Sequence, residues 1–507
     1  MGQSTGVAAP IAKDVSPGED ESVLAGTSAR HPRAKDLTTF ERYRMHVDWL
    51  ERHLDLFTPA SSTLDAEAEI TQIQRHGELA LAFRTRHCVE ENAEFGAATS
   101  WDTWLRAIIR HLESPAVRER ARSRLATAHA WLMPYVVLRS LGLWQDDWHD
   151  ATLAIAEEAG FPLASEVVPY RRADQLFFLG MRGQDRAAEL KGAIGATYLA
   201  SGPSVIHADR DAAYSVTHTV LYASSFGLET VSAEWPFLSA AVAFAESALV
   251  RFCRRRDWDL VGELLICLNL LPGADRDLIE RAESCFLGAI REDGGVFASE
   301  ATAKALGAMT PLTRSADFDA TDHTTLVAMF LAANPRTRAA VAPVDRGGVL
   351  QEAFRVRVLA ARRRAITFLG DPSRADEAPR PSSPAILTWD DVLTGDRLGL
   401  TGALAASVRE LDDPVIVIRL AQSLAAERDY GNLIRTLGWI DELSMWNEDT
   451  LACLQLLLDH QTSNGRIGLL SAELEYADEA TSASVYRVLT SRFVALCDSI
   501  LVSSPVR

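Results

Sequence analysis

Apolar residues recur at i, i+3, i+4 and i+7 along almost the whole chain, while runs that alternate in the manner of strands are scarce. That spacing predicts an all-helical protein. From residue 38 to about 194, segments such as "TTFERYRMHVDWLERHLDLF" and "ARSRLATAHAWLMPYVVLRSLGLW" read as long amphipathic helices with short breaks. A second rhythm follows in "AAYSVTHTVLYASSFG", "PFLSAAVAFAESALVRFCRRR", "DWDLVGELLICLNLL", "DRDLIERAESCFLGAI", "TDHTTLVAMFLAAN" and "VLQEAFRVRVLAARRRAITFL". The first, third and fifth are apolar almost all round and predict buried helices. The second, fourth and sixth keep a wet face, so an inner and an outer ring are expected.

Two turns in this region match each other. "CFLGAIREDGGVF" (285–297) and "LQLLLDHQTSNGRIG" (454–468) each end an outer-type helix on an acidic or amide residue followed by glycine. Gly294 and Gly465 are expected in the left-handed conformation that closes a helix. These turns resemble the Q-x-x-x-D-G-x-F/W turns of the α/α-toroid proteins, which include terpene cyclases, protein prenyltransferase β subunits and lanthionine-forming cyclases. The resemblance covers residues 200–370 and 385–500. It implies an all-α fold, an α/α-hairpin toroid or barrel with an additional N-terminal helical domain. The segments "TH..LY...FG", "DWDL..ELL" and "HTTLVA" are also similar to those of uncharacterised actinobacterial proteins, which implies only that the three belong together.

The expected organisation is a disordered arm (1–35), an N-terminal helical domain (36–200), a toroid core (201–370), a linker (371–385) and C-terminal helical hairpins (386–507). The linker lies within "GDPSRADEAPRPSSPA", rich in Pro, Ser and charge. At 507 residues the chain exceeds what one hydrophobic core normally serves. No apolar run approaches the roughly 18 residues of a membrane span. The opening "MGQSTGVAAPIAKDVSPGEDESVLAG" has no signal-peptide order, and Met1, Gly2 and Ser4 match a myristoylation signal poorly. A net charge of -18 argues against a nucleic-acid partner. The one tight basic cluster, "RFCRRRDW" (251–258), reads as a solvated helix C-terminus with cations on its dipole. Six scattered cysteines without CxxC spacing read as reduced and structural, which places the protein in the cytoplasm.

Polar residues interrupt the three apolar helices at similar places: His218 in "YSVTHTVLY", Asp259 and Glu263 in "DWDLVGELL", and His323 in "TDHTTLVA". Asp259 and Glu263 share a helix face by their four-residue spacing, as His218 does with Tyr214 and Tyr222. Convergence at one cavity mouth would give a set suited to a divalent zinc, iron or manganese ion, with His218, His323 and Asp259 as ligands. Glu263, Asp259 and Tyr214 would then serve catalysis, the tyrosines by orienting the substrate. The bland reading makes Asp257 or Asp259 a helix cap, pairs Glu263 with an arginine and leaves both histidines hydrogen-bonded in the core.

"DFDATDHTT" (317–325) resembles the DxDD-T motif of class II terpene cyclases, which implies Asp319 as general acid. Ala320 stands where the second adjacent acid belongs, and a helix cap is the competing reading. "LWQDDWHDA" (143–151) resembles the DDxxD string of class I terpene synthases, without their second motif; a solvated cap is the simpler reading. His46 and His53 fall on one helix face and read as surface. No phosphate loop, GxSxG elbow or dinucleotide fingerprint occurs, so no nucleotide cofactor is expected. The expected function is a tailoring or cyclising enzyme of specialised metabolism, acting on a small-molecule or peptide substrate in a helical-barrel cavity. A proton-initiated cyclase of the class II kind and a non-catalytic scaffold for a peptide or protein are the alternatives; a homodimer is compatible with each.

Overall fold

A computed structural model describes residues 34–57, 66–91, 101–229, 231–309, 312–333, 357–363, 365, 393, 414–443, 445–461, 467, 488–497 and 499–500. The expected arm up to residue 33, the linker 371–385 and Gly465 lie outside the described residues. Among the described residues every regular element is a helix, as the apolar spacing requires. The first half contains α1 (Thr39–Arg52), α2 (Leu54–Phe57), α3 (Ala66–Glu91), α4 (Asp102–Glu113), α5 (Pro115–Ser123), α6 (Leu125–Trp131), α7 (Met133–Ser140), α8 (Asp147–Glu158), α9 (Pro169–Met181) and α10 (Ala187–Ile194). There follow α11 (Arg210–Ala223), α12 (Leu238–Arg254), α13 (Trp258–Leu270), α14 (Arg276–Leu287), α15 (Glu300–Gly307), α16 (Arg314–Asp319) and α17 (Asp322–Ala333). Beyond the linker come α18 (Pro414–Glu427), α19 (Tyr430–Glu442) and α20 (Glu448–His460).

Local chemistry starts these helices where the sequence changes from polar to periodic. Thr38 and Glu41 form a reciprocal capping box on α1. Asp209, Asp275 and Thr313 accept first-turn amides of α11, α14 and α16. Asp146, the first acid of the DDxxD string, caps α8 through the His149 amide, and Asp150 pairs with Arg139 at 3.0 Å. The string is therefore a helix cap.

Helices α13 and α17 are buried as expected. In α13 every residue from Asp259 to Leu270 is buried, and in α17 so are Asp322 and Thr324 to Met329. Six helices close a ring: α3 packs on α17, α17 on α13, α13 on α11, α11 on α9, α9 on α7 and α7 back on α3. Half of this ring comes from residues expected to form a separate N-terminal domain. The reason lies in α17, whose apolar surface needs cover on the side away from α13. There α1 and α3 supply it, and Leu326 and Met329 join a core with Tyr43, Trp49 and Phe83.

Helix α12 departs from its expected outer position. Phe244, Ala245, Ala248, Leu249, Val250 and Phe252 are all buried, because α18 packs across the helix. Its basic C-terminus is likewise less solvated than expected: Arg251 is buried and donates to the carbonyls of Ala208 and Val205, and Arg254 pairs with Glu427. None of the six cysteines forms a disulfide, and four are buried.

The matched turns have matched geometry. Ile290 bridges Val296, and Gln461 bridges Ile467, both antiparallel. A buried threonine hydroxyl accepts the following amide in each: Thr325 from Val296 at 3.0 Å and Thr490 from Ile467 at 3.1 Å. Gly294 has φ +92° and lies against α1, where His46 Nδ1 meets its carbonyl oxygen at 2.8 Å. His46 is thus buried rather than at the surface, and desolvation pushes its pKa down to about 4. A Cβ on Gly294 would meet the Met45 carbonyl at 2.6 Å. Gly294→Ala is accordingly expected to destabilise the protein by about 2 to 4 kcal/mol, from backbone strain plus overpacking. Gly192→Ala, mid-helix in α10 with open space around it, should be neutral or stabilising by up to about 1 kcal/mol. Urea midpoints of the two variants provide the comparison.

Candidate active site

The first turn of α17 reads Asp-His-Thr-Thr, and its side chains find their partners on α3, on α13 and in the 290–296 turn. Asp322 binds Arg75 of α3 at 2.5 Å. His323 reaches two helices: its Nδ1 lies 2.8 Å from Glu78 Oε2 of α3, and its Nε2 lies 3.3 Å from Asp259 Oδ1 and 3.5 Å from Glu263 Oε1 of α13. The Thr324 hydroxyl donates to Asp259 at 3.1 Å, and Thr325 holds the Val296 amide. On the other side of α13, Thr217 donates to Glu263 at 2.5 Å and the Tyr214 hydroxyl donates to Asp259.

These contacts set the protonation. Burial disfavours a charge on His323, but Glu78, Asp259 and Glu263 together outweigh it and hold the imidazolium well above the usual histidine range. Burial, together with the Asp259 and Glu263 carboxylates, raises Tyr214 far above the usual phenol range, so its hydroxyl remains a donor.

Behind the cluster lies a cavity of about 450 Å³ bounded by the ring and by α6. Its wall is largely apolar, with Ile73, Leu81, Met133, Leu221, Ile266 and Val327 among its members. Aromatic faces come from Phe178, Tyr222, Phe226 and Phe330. Glu78, Glu263 and His323 form one polar pole, while Arg171, Asp174 and His218 contribute to the rest of the wall. The Tyr222 hydroxyl donates to Asp174 at 2.9 Å. Burial raises the Asp174 carboxyl, against the opposing pull of Arg171, the Tyr222 hydroxyl and His218.

His323, Asp259 and Glu263 therefore come together within the distances expected of a shared site. His218 does not join them. It lines the cavity with its ring stacked among Tyr170, Tyr214 and Tyr222 at centroid distances of 5.8 to 6.2 Å. Tyr214 does not line the cavity and so orients Asp259, not a substrate. Asp319 is outside as well: it is half exposed and bound to Arg75 at 2.7 Å, while Asp317 pairs with Arg291. The acids of "DFDATD" anchor α16 and the start of α17 to arginines, and none of them lines the ring cavity. Sequence reasoning missed Glu78 because it lies far from the helical rhythm. Its signal was a lone carboxylate ahead of the apolar stretch "LALAF".

For a metal ion the donor set is poor. Among the described residues no group of three or more His, Cys, Asp or Glu side chains is placed to hold one. Both nitrogens of His323 already face carboxylates, and Asp259 and Glu263 take hydroxyl donors from Tyr214, Thr324 and Thr217.

A family model described as a domain of unknown function (DUF6895) matches residues 43–333, more than half of the chain. The chain belongs to this family. The DUF6895 match runs from within α1 to the end of α17 and so contains the whole helical ring and every residue of the polar cluster. The C-terminal helices that cover α12 fall outside it. No curated protein and no solved structure matches the chain.

The raised pKa of His323 has a pH signature. A group whose folded pKa exceeds its unfolded value stabilises fully below the unfolded pKa, about 6.5 for histidine, and the contribution disappears as pH rises through the folded value. Wild type should exceed His323→Gln in melting temperature by most at about pH 6, and the gap should close steadily on the alkaline side. Parallel melting curves across that range check the sign.

Proposed function

We propose that the protein is an acid–base enzyme that acts on a small, largely apolar substrate in the ring cavity. Cyclisation and elimination are the reaction types that its groups suit. One observation carries this reading: Glu78, Glu263 and His323 line the same cavity, with His323 Nε2 and Glu263 Oε1 3.5 Å apart, while Asp259, outside the lining, holds His323 Nε2 at 3.3 Å. The contact with Glu78 fixes the ring and leaves Nε2–H between Asp259 and the cavity-lining Glu263. From there His323 can donate a proton to a substrate oxygen or leaving group, and Glu263 can accept one from an adjacent carbon. Tyr214, Thr217 and Thr324 keep the carboxylates oriented through the cycle. The apolar wall keeps water from competing for the proton. Specialised metabolism offers substrates of this size, and a modified peptide side chain fits the same requirements.

The test replaces the gene in its native host with His323→Gln, Glu263→Gln or Asp319→Asn alleles and compares metabolites by mass spectrometry. Compounds that depend on the gene should fall by roughly 10²- to 10⁴-fold in the first two strains, the span of a general acid or base. They should persist in the third, because Asp319 lies outside the cavity. Wild-type amounts from both cavity variants would reject the acid–base assignment; full loss in Asp319→Asn, with the protein folded, would restore the aspartate as the acid.

A further inference from the structure

We infer that the cavity takes a substrate carrying an ammonium group on an apolar body, with Glu263 as its counter-ion. The inference rests on the reading of the cavity as the substrate site and adds the chemical class.

Charge balance is the first ground. Three carboxylates, Glu78, Asp259 and Glu263, surround a single imidazolium, His323. Arg210 pairs with Asp259 at 3.7 Å but is shared with Asp257, so it brings one further positive charge and one further negative charge. The pole thus keeps an excess of negative charge, and for the buried Asp259 and Glu263 that excess is costly away from water unless a cation offsets it. Of the three carboxylates, Glu78 is engaged by His323 Nδ1 and Asp259 is covered by Tyr214 and Thr324. Glu263 has a hydroxyl on one oxygen, and its other oxygen meets only the more distant His323 Nε2. It is also buried, and it lines the cavity.

The wall supplies the second ground. Phe178, Tyr222, Phe226 and Phe330 present aromatic rings to the same space, and such faces attract a desolvated cation. A third feature is His218. It lines the cavity, its Nδ1 has no hydrogen-bond partner, and the ring makes no ion pair among the described residues. A ring of this kind can accept one N–H of an ammonium whose other N–H groups face Glu263. Arg171, a further cation of the wall, stacks 5.1 Å over Tyr170 and is drawn on by Asp174, the carboxylate on its own side of the cavity. The volume of about 450 Å³ falls within the roughly 300–1,000 Å³ of small-molecule sites.

Titration calorimetry at neutral pH with phenethylamine, phenethyl alcohol and phenylpropionate tests the charge requirement on probes of nearly one shape. The amine should bind at least about tenfold more tightly than the alcohol, a difference of about 1.4 kcal/mol, and the carboxylate should bind worst. Glu263→Gln should bring amine and alcohol to within about threefold of each other. Equal or tighter binding of the alcohol or the carboxylate by wild type overturns the ammonium assignment and leaves the cavity as a substrate site. Failure of all three to bind overturns both. The wild-type ratio decides even if the variant does not fold.

Discussion

Helix α17 is enclosed by α1, α3 and α13, and its enclosure governs the rest of the structure. A helix with no wet face cannot leave polar side chains unpaired, since each would cost about 1 to 3 kcal/mol. Four polar residues nevertheless open it. Their demands reach into separate segments: Arg75 and Glu78 on α3, Asp259 and Glu263 on α13, and the amide of Val296 in the glycine turn. The first turn of α17 is therefore where the two halves of the chain are locked in register.

The same constraint produces the chemistry. Arg75 pairs with both Asp322 and Asp319, so that the acids flanking the turn are spent on anchoring. His323 is left facing three carboxylates, with Tyr214, Thr217 and Thr324 orienting two of them. A charged imidazole so held is stable as a structural element and ready as a proton donor. Its opening onto an apolar cavity separates the second role from the first.

The family match and the packing agree on the extent of the helical ring. Residues 43–333 include α3, α7, α9, α11, α13 and α17, the complete ring. The helices from 414 onward add cover to α12, and Arg419 of α18 binds the buried Glu246 of α12 at 2.8 Å. Their matched turn, with a bridge and a threonine hydroxyl as in the 290–296 turn, marks a repeated hairpin used for support instead of for the site.

The sequence by itself determined the helical class, the burial of α13 and α17, the left-handed Gly294 and the grouping of Asp259, Glu263 and His323. All of these follow from short-range periodicity or from polar residues placed in apolar runs, which are properties of one segment at a time. Only the tertiary structure decided that α3 closes the ring and contributes Glu78, that His218 turns to the tyrosines, and that Asp319 is held by Arg75 outside the cavity. The first and the last of those outcomes depend on contacts between residues more than two hundred positions apart, as from Arg75 to Asp322 and from Glu78 to His323. Helical spacing gives the face on which a side chain lies; the neighbour that covers that face, and so whether a carboxylate becomes a clamp or part of a site, is fixed when the helices pack.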